Sequence, residues 1–260
     1  MLQRIKSAAR IRSARAFPAK LRRICLSAPV ASVSFDDFAR SAWTAGGEIV
    51  EAAGGRATYY TSGGFCRRTI DGLEYFTEAD LAELCERGHE AACHTFAHSA
   101  LPGESQNAIF SDLARNAAFL RNAAGQGEIR SFAYPLGAAS IRTKLLLRNR
   151  FPSCRGIEPG INAGWTDISQ LRAVCLQTHF LREFSIARLV DEVCSRKGWL
   201  ILVAHDVSSK PTPYGCTPNL LREAVEAVRR AGIELLPVGE VLNRLDAKET
   251  RERLPAAPAI

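Results

Sequence analysis

The chain alternates short, continuous apolar runs with longer stretches whose apolar residues recur every three or four positions. The first pattern reads as buried strands of a parallel sheet, the second as amphipathic helices. Apolar runs over 31–35, 57–61, 90–93, 131–134, 171–176, 199–205 and 234–237 predict strands. Helical patterns lie between them, over 44–53, 78–87, 106–124, 141–150, 185–196 and 219–231. Local punctuation agrees with these spans. Thr77-Glu78-Ala79-Asp80 has the spacing of a capping box, Gly88 ends the same helix, and Pro218 suits the first position of the last one. A β-α-β-α rhythm predicts parallel pairing, and about seven such units in one domain favour a (β/α) barrel over an open sheet. The length of 260 residues is ordinary for one such barrel. In barrels the chemistry sits at the C-terminal ends of the strands, so the polar residues that follow each apolar run are the candidates.

Those positions are rich in chemistry. The run Val33-Ser34-Phe35-Asp36-Asp37-Phe38 ends a strand in two adjacent carboxylates, which point different ways and can take different tasks; such acids also cap helices and turns. The run Gly88-His89-Glu90-Ala91-Ala92-Cys93-His94-Thr95-Phe96-Ala97-His98 holds three of the five histidines, the others being His179 and His205. On a helical turn, His94 and His98 would share a face and could share a cation. Joined by a carboxylate from another strand end, they would make a two-His-one-carboxylate site with open positions. His89 suits a structural role beside the second helix. Phe132-Ala133-Tyr134-Pro135-Leu136-Gly137 leaves its strand through a Pro-Gly turn able to present N–H groups to an oxyanion. Leu200-Ile201-Leu202-Val203-Ala204-His205-Asp206 is a buried strand ending in an ionisable pair, which suits a general acid.

In this order the runs resemble the polysaccharide deacetylases of the NodB-homology type, carbohydrate esterase family four, over roughly residues 30–240. The resemblance implies a distorted (β/α) barrel of about seven parallel strands, binding one divalent metal (zinc, or else cobalt or nickel) and hydrolysing acetyl groups from sugars. Carried over by position, it implies that Asp37, His94 and His98 bind the metal. Asp36 is then the general base on a metal-bound water and His205 the general acid toward the leaving amine. The Leu136 N–H joins the metal in holding the oxyanion, because Pro135 has no N–H; Tyr134 flanks this turn. Many family members carry an Arg that orients the base where this chain has Ala133, and a subgroup with the Phe-Ala-Tyr-Pro pattern lacks it. Arg155 or Arg172 could supply that charge from elsewhere, and Asp206 or Asp167 could favour a protonated His205. The family's Asp-x-x-Asp-Trp segment is unclear here, with Trp165-Thr166-Asp167 the nearest approach. Tyr214, in the Pro-rich loop after His205, could stack on a sugar ring, and Ser62-Gly63-Gly64 could admit substrate close to the backbone.

Charge and cysteines refine the picture. Residues 1–23 hold eight basic and no acidic groups, whereas the other 26 basic residues face 27 acidic ones. We therefore divide the chain into a basic N-terminal extension (1–29), a barrel (30–245) and a polar C-terminal tail (246–260). The extension could meet an anionic membrane surface, and a neutral body with no binding module argues against nucleic acid as a partner. The eight cysteines are scattered without a C-x-x-C pair, which predicts buried thiols in a reducing compartment. With no secretory h-region, the expected location is the cytoplasm, at the inner membrane face. The longest apolar run near the middle, Trp199 to Ala204, is too short to span a bilayer. The expected activity is removal of N-acetyl groups from an amino-sugar-containing saccharide or lipid-linked glycan. A deformylase on a formamido sugar and a non-catalytic carbohydrate-binding protein on the same barrel are the alternatives.

Overall fold

The computed structural model describes residues 13–125, 127–177 and 185–253. In chain order the elements are β1 (Leu21–Ile24), β2 (Val30–Asp36), a π-helical turn (Ala42–Gly47) running into α1 (Glu48–Ala52), β3 (Thr58–Thr61), β4 (Thr69–Ile70) and β5 (Leu73–Glu74). Next come α2 (Glu78–Glu86), β6 (Glu90–Cys93), α3 (Gln106–Ala124), β7 (Ser131–Ala133), α4 (Ile141–Leu147), β8 (Ser153–Arg155) and β9 (Gly164–Asp167). The chain finishes with β10 (Val174–Cys175), α5 (Ile186–Arg196), β11 (Trp199–Ala204), α6 (Pro218–Arg230), β12 (Glu234–Leu235) and α7 (Val238–Arg253).

Seven parallel strands curl in the order β10-β11-β2-β3-β6-β7-β8. One segment brings the two edges together. Leu171 bonds β8 through Cys154 and Gly156 at 2.8 and 2.9 Å, and a few residues on β10 pairs with β11. The result is a distorted (β/α) barrel. Its central strands are buried throughout, so their two faces have separate jobs. On β2, Ala31, Val33 and Phe35 join the main apolar core under the helices. Between them Ser32 and Ser34 turn to the other face, where Ser32 accepts from the Trp199 indole at 2.9 Å and Ser34 donates to the Leu202 carbonyl at 3.2 Å. Fully burying each large aliphatic of the outer layer contributes roughly 1.5–3 kcal/mol. The layer of buried polar side chains, by contrast, makes specific bonds. Glu90, for example, accepts from Thr58, Ser131 and the Gly239 N–H at the start of α7.

The helices begin where their caps predict. Thr77 and Asp80 form the capping box of α2, Ser140 and Thr143 form another on α4, and Thr217 caps α6 with Pro218 at its first position. Gly88, with φ +83°, lets the chain leave α2 in a conformation that side chains resist.

The structure departs from the sequence reading at several elements. β8 is a strand although Ser153-Cys154-Arg155 carries no apolar run, because its pairing with β7 and with the segment near Leu171 supplies the order. The run 171–176 is regular only at Val174–Cys175, and β12 is two residues pairing with the start of β2. The described parts of the proposed extension (13–29) and tail (246–253) are also built into the body. β1 pairs antiparallel with β9, and α7 runs through the expected boundary at 245–246. The two join through Arg22, which meets Asp246 at 2.8 Å and Glu249 at 3.1 Å. Arg15 pairs with Glu158, and the Lys20 ammonium donates to the carbonyls of Phe151 and Pro152. Of the basic residues expected to meet a membrane, Arg4, Lys6, Arg10 and Arg12 lie outside the described residues. No helix among the described residues is long and apolar enough to cross a membrane. The eight cysteines are free, four of them buried.

His89 has the structural role expected of it. Its Nδ1 accepts the Ala57 N–H at 3.0 Å, its Nε2 faces Glu51 at 3.0 Å, and Trp43 meets the ring edge-on. Accepting at Nδ1 requires the neutral ring. Burial pushes its pKa below the ordinary histidine value, more than Glu51 raises it. The folded state therefore binds fewer protons here than the unfolded chain. Stability from this site is complete above the unfolded value of about 6.5 and is lost as pH falls below it. We expect His89→Gln, which keeps an acceptor and a donor, to flatten the fall in stability between about pH 7 and 5.5, as read from urea midpoints. Parallel pH profiles for the two proteins would contradict this account.

Candidate active site

β2 delivers two acids to the barrel mouth, and the backbone then separates them. Asp36 is the last strand residue, whereas Asp37 and Phe38 both take left-handed conformations, with φ +64° and +61°. Such φ values cost energy in non-glycine residues and persist only where packing enforces them. Here the Phe38 ring stacks on Phe76 at 4.6 Å and leans on Tyr59 at 4.9 Å. Asp36 consequently turns into the interior while Asp37 turns toward the histidines.

His94 follows β6 directly, and His98 lies four residues on in the same loop, with φ +53°. Asp37 Oδ1 lies 3.3 Å from His94 Nε2 and 3.0 Å from His98 Nε2. His94 Nδ1 lies 2.8 Å from the Ala133 carbonyl, which can only accept, so Nδ1 carries a proton and, in the neutral ring, Nε2 carries the lone pair. At these distances the contacts look like ion pairs, yet the buried Asp37 Oδ1 has no hydrogen-bond partner among the described residues. A carboxylate oxygen and two imidazole nitrogens, all within 4.8 Å of one another, form a donor set for a divalent cation. Burial alone would raise the Asp37 pKa, but His94 and His98 hold it far below the usual carboxylate range. In turn Asp37 raises His98, against the opposing effect of burial.

Asp36 meets Arg155, the fully buried last residue of β8, through Nη2 to Oδ1. The guanidinium also donates to the Gly156 carbonyl at 3.0 Å and lies 4.7 Å from the centre of the Tyr60 ring. Burial works to neutralise Asp36, but Arg155, helped by His94 and His205, keeps its pKa below the ordinary value. Across the mouth, His205 Nε2 lies 3.9 Å from Asp37 Oδ2, and Nδ1 is 3.2 Å from the Tyr214 carbonyl. That carbonyl places the Nδ1 proton and aims Nε2 at the site.

The structure thus brings together Asp36, Asp37, His94, His98, His205 and Arg155. Tyr214, 62% exposed, sits at the rim with its ring 5.6 Å from that of His205. Leu136, 68% exposed with φ +58°, forms the turn after β7. Other expectations need correction. The Tyr134 side chain is buried and donates to the Ser169 carbonyl at 3.0 Å, and Pro135 is buried beside it, so neither side chain faces the mouth. Arg172 donates to the Pro159 carbonyl and, through its N–H, to Asn162, holding the turn before β9 rather than Asp36. Asp167 pairs with Lys144 at 2.7 Å and accepts from Ser169, beside β1. Asp206 receives the Thr212 N–H and hydroxyl and builds its own loop. Among the described residues, neither carboxylate pairs with the His205 ring. Ser62-Gly63-Gly64 is a packing feature: a Cβ on Gly63 would sit 2.8 Å from Phe96 and Phe119.

Sequence reasoning missed several neighbours. Phe65 lies 5.4 Å from the His98 ring and 4.7 Å from Tyr75, making an aromatic wall beside the triad. Ser62, singled out in the sequence only as part of a substrate approach, donates to the His94 carbonyl at 2.9 Å. Asn116 and Asp112, one turn apart on α3, hold the ends of β3 and β6 and the histidine loop. The legible signal was Asn116 itself, a polar residue on the apolar stripe of Ile109, Leu113 and Leu120.

Residues 23–150 match the family model described as polysaccharide deacetylase. Among solved structures the chain is similar to a family 4 acetyl xylan esterase from Clostridium thermocellum in complex with a cobalt ion. The two share 20% identity at a TM-score of 0.56, covering 83% of this chain and 91% of that one. A mutant of the peptidoglycan deacetylase PdaC from Bacillus subtilis aligns at 17% identity and a TM-score of 0.54, covering 88% and 98%. A family 4 pseudoenzyme from Bacillus anthracis aligns at 14% identity and 0.58, covering 87% and 69%. At these identities the likeness is one of fold. No curated protein sequence matches the chain significantly.

The Asp36–Arg155 pair gives a direct test of the site's architecture. Arg155→Met strands a buried carboxylate, and we expect a loss of about 3–5 kcal/mol in chemical denaturation. Asp36→Asn combined with Arg155→Met should recover most of it, since no charge is then left unpaired. Additive losses would show that the pair is not coupled.

Proposed function

We propose that this protein is a metal-dependent hydrolase that removes N-acetyl groups from an amino-sugar-containing saccharide. The observation that carries this reading is the arrangement at one mouth: a carboxylate and two imidazoles close enough to share a cation, a buried acid held below its ordinary pKa by Arg155, and His205 facing Asp37. The match of residues 23–150 to the polysaccharide deacetylase family model supports the saccharide as substrate class.

Asp37, His94 and His98 would hold the metal, and the nitrogen-rich set suits zinc, cobalt or nickel. When bound, the cation supplies Lewis acidity toward the acyl carbonyl and the attacking water. Asp36 accepts the proton of that water. Arg155 occupies one of its oxygens and keeps it ionised, leaving the other as the base. His205 carries a proton on Nε2 and delivers it to the departing amine as the C–N bond breaks, releasing acetate. Its Nδ1 stays bonded to the Tyr214 carbonyl, so the ring keeps its aim through the transfer. The Leu136 N–H contributes a hydrogen bond to the developing oxyanion. Leu136 and Tyr214 offer apolar surface to a pyranose ring.

The test is acetate release from N-acetylated amino-sugar oligosaccharides, with formate measured alongside. Asp36→Asn should retain the metal and lose about 10²–10⁴-fold in turnover. Chelation should abolish activity, and added Zn²⁺ or Co²⁺ should restore it. Undiminished turnover in the variant would remove Asp36 from its role. Formate as the product would replace the acyl group in this reading, and glycan binding without turnover would leave a carbohydrate-binding protein.

A further inference from the structure

The metal reading leaves open what holds two histidines of a short loop in register, and α3 supplies an answer. Between His94 and His98 the chain makes a tight reversal, with Thr95 at φ +62° and His98 at φ +53°. The successive N–H groups of Phe96 and Ala97 both point at one carboxylate. Phe96 donates to Asp112 Oδ1 at 2.6 Å and Ala97 to Oδ2 at 3.0 Å. Consecutive amides converging after a left-handed residue make a small concave anion site, and here the chain fills it with its own side chain. Charge-assisted bonds of this kind are roughly twice as strong as neutral ones.

The same helix holds the rest of the loop. Arg115 lies 3.7 Å over the Phe96 ring, so Phe96 is fixed through both backbone and side chain. One turn on from Asp112, Asn116 accepts the Gly63 N–H and donates to the Thr61 carbonyl and the Cys93 sulfur. Through Cys93 this reaches the residue just before His94.

We propose that Asp112 is a positioning residue for the metal site: its carboxylate sets the separation and aim of His94 and His98, and thereby the metal affinity. The proposal rests on the metal reading of Asp37, His94 and His98. Both Asp112 oxygens are taken by the Phe96 and Ala97 amides, so it acts through the loop and is not one of the donors that would hold the metal. A residue that only stabilised the loop would change the melting temperature and leave metal binding intact, and this difference is measurable.

The experiment compares wild type, Asp112→Asn and Asp112→Glu in their metal-free forms. Each is titrated with Co²⁺ by calorimetry while the visible cobalt absorption reports ligand geometry. Asp112→Asn retains one acceptor and the side-chain size, so it should fold, as far-ultraviolet circular dichroism would show. We expect it to bind Co²⁺ roughly 10- to 100-fold more weakly, the usual cost of losing an outer partner, with an altered cobalt spectrum. Asp112→Glu keeps both oxygens and should recover part of the affinity. Wild-type affinity and spectrum in Asp112→Asn would overturn the positioning role alone. A wild-type protein that binds no Co²⁺, with His98→Ala behaving identically, would overturn the metal reading and this proposal with it.

Discussion

The site depends on one buried ion pair. Asp36 and Arg155 come from β2 and β8, strands that lie four places apart in the curled sheet and meet only because the sheet closes on itself. Burying either charge alone would be strongly unfavourable, and together they are favoured only if the geometry is good. The pair therefore makes the closed barrel and the ionised acid mutually dependent. The surrounding small side chains give it room. Ala133 and Ala92 cluster with Tyr60 and leave the interior open for a guanidinium to cross.

Around this pair, each element of the site is oriented by main chain more than by side chain. Two left-handed residues after β2 part the acids, and carbonyls of Ala133 and Tyr214 set the tautomers of His94 and His205. Such positions lie outside simple sequence patterns, because they depend on φ values and on which carbonyl a neighbouring strand presents.

That explains what was legible. Strands such as β2 and β11 announce themselves because every position is buried, and α2 and α6 because their caps use side chains with recognisable spacing. Asp37, His94 and His98 were legible through their order along the chain, and their convergence required only that strand ends share one mouth. β8 was illegible because three residues held by neighbours on both sides need no apolar run of their own. Arg155 could be named as a candidate but not separated from Arg172, since both are cations close to strands and only the closure of the sheet turns one inward. Asp167 and Asp206 illustrate the converse: acids close in sequence to plausible partners were claimed instead by Lys144 and by the Thr212 turn.

The bond between His94 Nδ1 and the Ala133 carbonyl has an evolutionary consequence. A side-chain acceptor behind a metal-binding histidine can be deleted by one codon change. A peptide carbonyl survives every substitution at its own position, so position 133 is free to drift in identity without disturbing the tautomer of His94. Only a shift of the strand itself could remove the acceptor, and such a shift would also break the pairing of β7 with β6 and β8. Side-chain identity at this position and the tautomer of the histidine are thereby decoupled, which leaves room for the charge beside Asp36 to be carried from a different strand.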